Sequence, residues 1–355
     1  MVQCHVFVGA AAAAALLSIV SPAEAEREGF IDSGGIYTFI NPPGSIATYA
    51  ISINDAGTVA GYAYIVSGGG VGFEGFTYSG GTYTLINPLG ATYTFVASIN
   101  DAGTLAGDAV IGSMNEGFTY SGGTYTFINP PGSTATFPNS INDAGTVAGD
   151  ALIGSTYEGF TYSGGTYTFV NAPGSTYTHV TSVNDAGTVA GNSYIGSTDE
   201  GFTYSGGTYT FINPPGSTYT YLAGINDAGT VAGYALIGST YEGFIYSSGI
   251  YTFINAPGST YYTLLNSIND AGTVVGEADI NGNDEGFIYS GGTYTFINPL
   301  QSGDSFEPVS INDAGTVAGV FTPIPEPAAW TMVLLGFLGL GAVMRRSRRQ
   351  LAITA

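Results

Sequence analysis

The sequence contains no lysine, and its five arginines lie only at the two ends of the chain. Between Glu28 and Thr322 there are 23 aspartates and glutamates and no basic residue. Binding to a phosphate backbone requires basic side chains that displace counterions. The sequence therefore excludes nucleic acid as a main partner of this region.

Cysteine and histidine are almost as scarce. Cys4 is the only cysteine, and beyond the first 25 residues His179 is the only histidine. A Ser-His-Asp triad, a histidine-rich zinc site or a lysine nucleophile is therefore hard to assemble. We predict that the protein is not an enzyme and uses no cofactor, and that His179 simply replaces the Tyr or Phe of other repeats. A carboxylate-dependent glycosidase stays open as an alternative, although the acids are spread over the repeats in turn positions.

Repetition, by contrast, is abundant. The NDAG motif recurs at intervals of 42 to 46 residues, and Glu-Gly-Phe recurs between its copies. Self-similarity at such a period indicates a repeat architecture. The NDAG asparagines are Asn54, Asn100, Asn142, Asn184, Asn226, Asn269 and Asn312.

Each repeat reads as four short strands. Gly-Gly and NDAG are signals for tight turns, Pro-Gly stretches break the chain, and the intervening runs are rich in Thr, Tyr, Phe, Ile and Val. Such a sheet cannot shelter its aromatic residues alone, and Phe118 and Phe127 are the expected packing residues of one repeat. We predict an all-β fold, a seven-bladed β-propeller of four-stranded repeats, with a β-solenoid as the alternative.

The repeats differ from one another in only two of their connections. In a meandering sheet alternate turns lie at opposite ends, so the SGG and NDAG turns share one end. The variable NPPGS and GSTYE stretches share the other. We expect any binding surface at the variable end, because loops on a rigid scaffold carry function.

The first 25 residues read as a signal peptide. Residues 6–20 are apolar, and Ala23 and Ala25 fit a small-x-small cleavage site. The predicted organisation is a signal peptide over 1–25, the repeat domain over 26–322, a sorting signal over 323–350 and a tail over 351–355. Within the sorting signal, residues 328–344 are predicted to form a transmembrane helix.

The chain ends in a proline-containing triplet, the apolar stretch and a basic cluster. The triplet is Pro325, Glu326 and Pro327, and the basic residues are Arg345, Arg346, Arg348 and Arg349. This order resembles the PEP-CTERM sorting signal of Gram-negative bacteria. The resemblance implies that the triplet is recognised by an exosortase-type enzyme, after passage through the secretion machinery. The arginines would stop transfer on the cytoplasmic side.

The repeats also resemble, less closely, the exported HAF-type repeats. The stretch from Ile141 to Gly149 matches the G-I-N-x-x-G-x-V-x-G core of that family, although Glu-Gly-Phe replaces its His-Ala-Phe element. The resemblance adds to the prediction of architecture and implies no particular activity.

One stretch deserves comparison with a calcium loop. Asp279, Asn281, Asn283 and Glu285 place oxygen ligands at alternate positions, but Asp284 stands where such a loop needs glycine. The motif is therefore a weak metal candidate.

Taken together, these patterns predict an exported protein of the cell surface or extracellular matrix. It would be held in the inner membrane by its C-terminal helix before processing, and would have a structural, adhesive or polysaccharide-associated role. An ice- or surface-binding role of the Thr-x-Thr pairs is an alternative.

Overall fold

A computed structural model describes residues 27–67, 70–297 and 304–323. Arg27–Thr322 forms one compact unit. Every regular secondary-structure element within the described ranges is a β-strand. The predicted signal peptide, the sorting triplet, the predicted membrane helix and the arginine cluster lie outside the described residues.

The strands pair into four-stranded antiparallel units that follow the sequence repeats. Unit 1 contains β3 (Ser45–Ile53), β4 (Val59–Ser67), β5 (Gly70–Ser79) and β6 (Thr82–Ile86). Unit 2 contains β7 (Ala91–Ile99), β8 (Leu105–Ile111), β9 (Met114–Ser121) and β10 (Thr124–Phe127). Unit 3 contains β11 (Ser133–Ile141), β12 (Val147–Ile153), β13 (Thr156–Ser163) and β14 (Thr166–Val170). Unit 4 contains β15 (Ser175–Val183), β16 (Val189–Ile195), β17 (Thr198–Ser205) and β18 (Thr208–Ile212). Unit 5 contains β19 (Ser217–Ile225), β20 (Val231–Ile237), β21 (Thr240–Ser247) and β22 (Ile250–Ile254). Unit 6 contains β23 (Ser259–Ile268), β24 (Val274–Ile280), β25 (Asn283–Ser290) and β26 (Thr293–Ile297). Unit 7 joins β27 (Ser305–Ile311) and β28 (Val317–Thr322) to β1 (Glu28–Ser33) and β2 (Ile36–Ile40).

Unit 7 closes the ring, because it takes strands from both ends of the repeat domain. β1 pairs antiparallel with β28, and Phe30 lies opposite Gly319. The first strand of each unit contacts the first strands of both neighbouring units, including β27 with β3. The prediction of an all-β propeller is confirmed, and the rod-like solenoid is not the fold that forms.

The first strand of every unit is the innermost and faces a central channel. The chain then runs outward, so the NDAG turns and the SGG turns lie at one end of the sheets. We call the end of the channel formed by the NDAG turns the NDAG rim. The opposite end carries the connections between units and the turns between second and third strands, and we call it the variable rim.

The core between units is built from one phenylalanine per repeat. These side chains are fully buried, and each follows the glycine of a Glu-Gly-Phe motif: Phe30, Phe76, Phe118, Phe160, Phe202, Phe244 and Phe287. The expectation that Phe127 also packs in the core is wrong. It lies on the outermost strand with 44% of its surface exposed, because that strand has no further strand covering it.

The glycine of the TVAG sequence allows the first and second strands of each unit to approach closely. At Gly149 a β-carbon would lie 2.2 Å from the carbonyl oxygen of Phe137, on the neighbouring strand. A side chain cannot occupy that space, so the glycine of the TVAG sequence is required by backbone contact rather than by an unusual torsion angle. Within the described ranges there is no helix with the length and apolar character needed to cross a membrane.

Candidate functional site

The NDAG rim is held by a closed circle of identical hydrogen bonds. The side-chain amide of Asn142 donates to the carbonyl oxygen of Asn184 at 2.8 Å, and its own oxygen accepts from Thr146 N–H at 2.7 Å. The same amide-to-carbonyl bond repeats through every NDAG asparagine and returns from Asn312 to Asn54. These buried side chains therefore stabilise the contacts between units, and the amide and oxygen of each are both satisfied.

The aspartates of the motif form a second circle of hydrogen bonds between neighbouring units. Each backbone N–H donates to the next carboxylate, as Asp143 does to Asp185 at 2.8 Å. Burial and the neighbouring carboxylates raise the pKa of Asp143, although the N–H of Asp101 opposes the shift. Because all units contribute the same residues and the groups bond to each other, the arrangement is suited to holding the ring together.

The variable rim differs, since a cavity of about 580 Å³ opens there among units 3, 4 and 5. Its walls combine aromatic rings with a few convergent polar groups, which is the usual make-up of a small-molecule site. The lining residues are Phe137, Asn139, Asp150, Tyr157, Tyr177, His179, Asn192, Asp199, Tyr219 and Tyr221.

His179 and Asp150 form the central polar pair of the cavity. Asp150 lies on β12 and is almost fully buried, and one carboxylate oxygen bonds to Nδ1 of His179 on the adjacent unit. The other oxygen accepts the Val180 N–H at 2.7 Å. Because a carboxylate accepts hydrogen bonds, Nδ1 carries the proton and the neutral ring keeps a lone pair on Nε2. Burial acts to lower the pKa of His179, but the hydrogen bond and charge of Asp150 outweigh it and raise the pKa.

Asn192 stands in unit 4 where Asp150 stands in unit 3. Its Oδ1 accepts the Leu222 N–H at 2.8 Å, and this contact fixes the orientation of the amide. The Nδ2 atom is buried and has no hydrogen-bond partner among the residues that the structure describes. Since a buried donor without a partner costs about 1–3 kcal/mol, the cavity offers an unused hydrogen bond to a ligand.

Tyrosines form most of the remaining wall. The Tyr177 hydroxyl donates to Asp199, and the Tyr177 ring stacks on Tyr194 with centroids 5.6 Å apart. Burial, then the charges of Tyr219 and Asp150, raise the pKa of Tyr221 to about 12. The phenol of Tyr221 is thus neutral at physiological pH and can donate a hydrogen bond.

Two further acids occupy the Asp150 position in other units and lack its backbone donor. Asp150 accepts a hydrogen bond from the N–H of Val180, which lies on the first strand of the next unit. For Asp108 and Glu277, the residue at that position in the next unit is a proline. Burial raises the pKa of Asp108 to about 7. Burial, with the charges of Glu307 and Asp284, raises that of Glu277 to about 7. Because Pro138 and Pro308 have no N–H, the carboxyls of Asp108 and Glu277 lack a backbone hydrogen bond that would stabilise their charged forms.

The weak metal candidate lies at the hairpin between β24 and β25. The Asp279 carboxylate accepts from Thr260 at 2.5 Å and from the Gly282 N–H at 3.1 Å, while Asn281 adopts a left-handed φ of 56°. In the described part of the chain no three His, Cys, Asp or Glu residues are grouped so that they could hold a metal ion. Of the four candidates, Asp279 lies on β24, Asn281 in the turn, and Asn283 and Glu285 on β25.

The residues of the cavity were largely missed by reasoning from sequence. His179 does replace a Phe or Tyr of other units on the innermost strand, but it also bonds Asp150. The expectation that acids occupy turn positions is wrong for Asp108, Asp150 and Glu277, which lie on inner strands. The sequence did carry a usable signal, because the residue that follows TVAG or its variant differs between units. These residues are Tyr62, Asp108, Asp150, Asn192, Tyr234, Glu277 and Val320.

No protein-family model matches this chain, and no curated protein matches it. Solved structures do resemble it. The β-propeller domain of the Trilobed protease from Pyrococcus furiosus has a TM-score of 0.57 at 11% identity, over 76% of this chain and 85% of that chain. A catalytically inactive histidine-to-alanine variant of virginiamycin B lyase from Staphylococcus aureus, solved with quinupristin, has a TM-score of 0.51 at 13% identity, over 84% and 100% of the two chains. At these identities the likeness shows the β-propeller fold alone.

The comparison corrects one prediction. The prediction that this protein is not an enzyme is contradicted to this extent: a lyase is among the proteins that share its fold, so the fold does not exclude catalysis. The expectation rested on counts of residue types over the whole chain. A site needs only a few well-placed groups, and His179 with its buried carboxylate partner is one such pair.

Proposed function

We propose that this protein is an exported, seven-bladed β-propeller that binds a saccharide in the cavity at its variable rim. The observation that carries the proposal is the cavity itself, in which five aromatic side chains surround Asn, Asp and His groups. Sugars present apolar C–H faces and many hydroxyls, so they suit tyrosine rings beside polar side chains. The protein would act at the cell surface or in the extracellular matrix, in an adhesive or polysaccharide-associated role.

Export is supported by the two ends of the sequence. The leader with Ala23 and Ala25, and the Pro325–Pro327 triplet with its arginine cluster, are the residues on which the proposal depends. The exosortase-type enzyme and the secretion machinery are the partners this proposal requires. Replacing Glu326 by Gln and following the size and location of the protein in fractionated cells tests it. Unchanged processing and location would count against sorting through this triplet.

Saccharide binding is tested with the full chain purified in detergent. The protein is screened against immobilised glycans, and hits are measured by calorimetry with wild type and Tyr177→Ala. We expect the variant to lose at least about tenfold in affinity, since burial of a large apolar side chain contributes about 1.5–3 kcal/mol. Tyr262→Ala is the matched control, because Tyr262 makes the same hydroxyl contact to Asp284 in unit 6, away from the cavity. Equal losses in both variants would refute the assignment of the site.

A second candidate function is acid–base catalysis in the same cavity. The buried Asp150 orients His179, and Nε2 makes no hydrogen bond to any described residue, which is the arrangement of a general base. Glycans that bind are incubated with wild type and with His179→Gln, and the products are analysed by mass spectrometry. New products that form only with wild type support catalysis, whereas unchanged glycans restrict the site to binding.

The Thr-x-Thr pairs support the ice-binding alternative less well. They are divided between the innermost and the outermost strands of several units, so they are distributed around the ring rather than gathered on one sheet. Thermal hysteresis measured on the full chain separates this alternative from saccharide binding.

A further inference from the structure

We propose that the cavity at the variable rim selects a saccharide that carries a protonated amine, that is, an amino sugar with a free amino group. The inference rests on the proposed saccharide function and names the chemical class of its ligand. It follows from the charge of the cavity, the aromatic wall, the place taken by Arg27 in another unit, and the unpaired amide of Asn192.

The charges that face the cavity favour a cation. Asp150 and Asp199 both line it, and His179 is the only basic side chain among the lining residues. Asp150 and His179 bond to each other, whereas the only hydrogen bond that the described residues make to the carboxylate of Asp199 comes from the neutral Tyr177 hydroxyl. An anionic ligand would meet two carboxylates here, with only an imidazole already paired to one of them as a counter-charge.

The surroundings of the cavity strengthen the negative field. No lysine or arginine occurs between Glu28 and Thr322. Carboxylates act on groups of neighbouring units, since Glu307 of unit 7 and Asp108 of unit 2 add to the effect of burial in raising the pKa of Tyr62 in unit 1. A site in this ring that excludes water therefore attracts positive charge and gives an anion no compensation.

The aromatic wall offers faces on which a cation can rest. Phe137, His179 and Tyr221 occupy the same position on three successive innermost strands, and Tyr177 and Tyr219 lie beside them. The negative faces of such rings attract a cation within about 6 Å of the centroid.

In unit 1, a side chain of the protein itself supplies a cation to the equivalent aromatic ring. Tyr49 occupies the position equivalent to Tyr221, as the register of the first two strands shows. The Arg27 guanidinium lies over its ring, 5.5 Å from the centroid, and donates to its hydroxyl at 3.4 Å. Arg27 is the only lysine or arginine in the described ranges, so the rings of units 3 to 5 lack such a partner. A ligand amine would supply it.

The unpaired amide of Asn192 favours an amino sugar over a simple amine as the ligand. Its Nδ2 donates to no acceptor, and an ammonium group has no lone pair to offer. A ligand that satisfies both the carboxylates and this amide must carry a cation and an oxygen acceptor together. Hydroxyl and ring oxygens beside an amino group meet that requirement.

The test compares two saccharides that differ only in the group on the nitrogen, which is a protonated amine in one and a neutral acetamide in the other. Glucosamine oligomers and N-acetylglucosamine oligomers of equal length are titrated into the full chain in detergent by calorimetry, at a pH that keeps the amine protonated. We expect the amine form to bind at least about tenfold more tightly, and the difference to shrink as salt is added.

Asp199→Asn keeps the shape of the site and removes its charge, so it should reduce the preference to less than about threefold. Asp284→Asn is the matched control, because Asp284 accepts a hydrogen bond from the Tyr262 hydroxyl as Asp199 does from that of Tyr177, yet does not line the cavity.

The salt titration of wild type tests the charge even where a variant folds poorly. Equal affinity for the two oligomers would overturn the amine preference and leave saccharide binding standing. Failure of every saccharide to bind would overturn both.

Discussion

At the NDAG rim every unit contributes the same asparagine and aspartate, whereas at the variable rim the innermost residues change from unit to unit. Asn184 and its equivalents bond to the next unit in a closed circle. At the equivalent depth of the other end, Phe137, His179 and Tyr221 follow one another on successive units. Contacts that every unit must make in the same way permit only one residue, while positions that face open space are released from that requirement.

The comparison teaches that repetition and divergence report on different physical tasks. The repeated residues satisfy backbone groups and set the angle between units. The divergent ones lie where a ligand, rather than a neighbouring unit, would supply the contact. Substitutions at the NDAG rim should therefore cost stability, and substitutions at the cavity should cost binding.

Removal of one whole repeat is expected to have the largest effect. Deleting residues 143–184 keeps the sequence phase but leaves six units, so every interface in the ring has to change its angle. A rod would only shorten, whereas a closed ring should lose its cooperative unfolding transition. Circular dichroism during heating measures this. A cooperative transition at the wild-type temperature would show that the interfaces adapt.

A single asparagine of the NDAG rim should come next. Asn184→Ala removes the amide bond to the Asn226 carbonyl and the acceptor for the Thr188 N–H, both of them buried or half-buried. We expect the free energy of unfolding to fall by about 2–4 kcal/mol, measured by urea denaturation. Saccharide affinity at the opposite rim should not change.

Asp185→Asn is the control at the same rim. It keeps an oxygen that accepts the Asp143 N–H and removes one negative charge from the ring of carboxylates. Its stability should equal or exceed that of wild type. A loss as large as that of Asn184→Ala would mean that charge, rather than hydrogen bonding, holds this rim together.

The converse experiment is a substitution in the cavity. His179→Phe introduces the residue that unit 3 already has at this position, Phe137, and leaves Asp150 bonded to the Val180 N–H. We expect saccharide affinity to fall at least about tenfold and stability to fall by only about 1 kcal/mol. Calorimetry and urea denaturation give the two values. Leu264→Phe makes the matched change on the innermost strand of unit 6, outside the cavity lining, and should leave affinity unchanged.

A further prediction concerns the pH dependence of stability. The folded-state pKa values of Asp108 and Glu277 are both about 7, raised from ordinary values of 3.8 and 4.5. The folded protein thus holds protons that the unfolded chain releases, so stability should fall as pH rises from 5 to 7. The slope is at most about 1.4 kcal/mol per pH unit for each group, and the loss should level off above pH 7. Urea denaturation at pH 5 and pH 8 measures the difference.

A proline substitution sharpens this prediction. Pro138→Ala provides the N–H that Asp108 lacks and Asp150 has, so it should lower the pKa of Asp108 and reduce the pH dependence by about half. Pro131→Ala, an exposed proline of a connection between units, is the control and should leave the dependence unchanged. An unchanged dependence in Pro138→Ala would mean that burial alone, and not the missing donor, sets the pKa.

Much of the fold could be predicted, because each repeat carries its own turn signals and strand periods. The NDAG and SGG turns, the four strands per repeat and their grouping at two ends all follow from local patterns. Phe127 was misjudged, since alternation along a strand cannot reveal that the strand is the outermost of its sheet. The cavity was missed because Asp150, His179 and Asn192 belong to different repeats and meet only across an interface.

The sequence by itself determined the unit, its turns and the positions at which the repeats diverge, since these depend on neighbouring residues of the chain. The tertiary structure alone decided that strands from both ends complete one sheet, that the first strand of each unit faces the channel, and that Asp150 meets His179. Those outcomes depend on the angle at which one sheet packs on the next. That angle is a property of side-chain contacts between units, and no single repeat contains it.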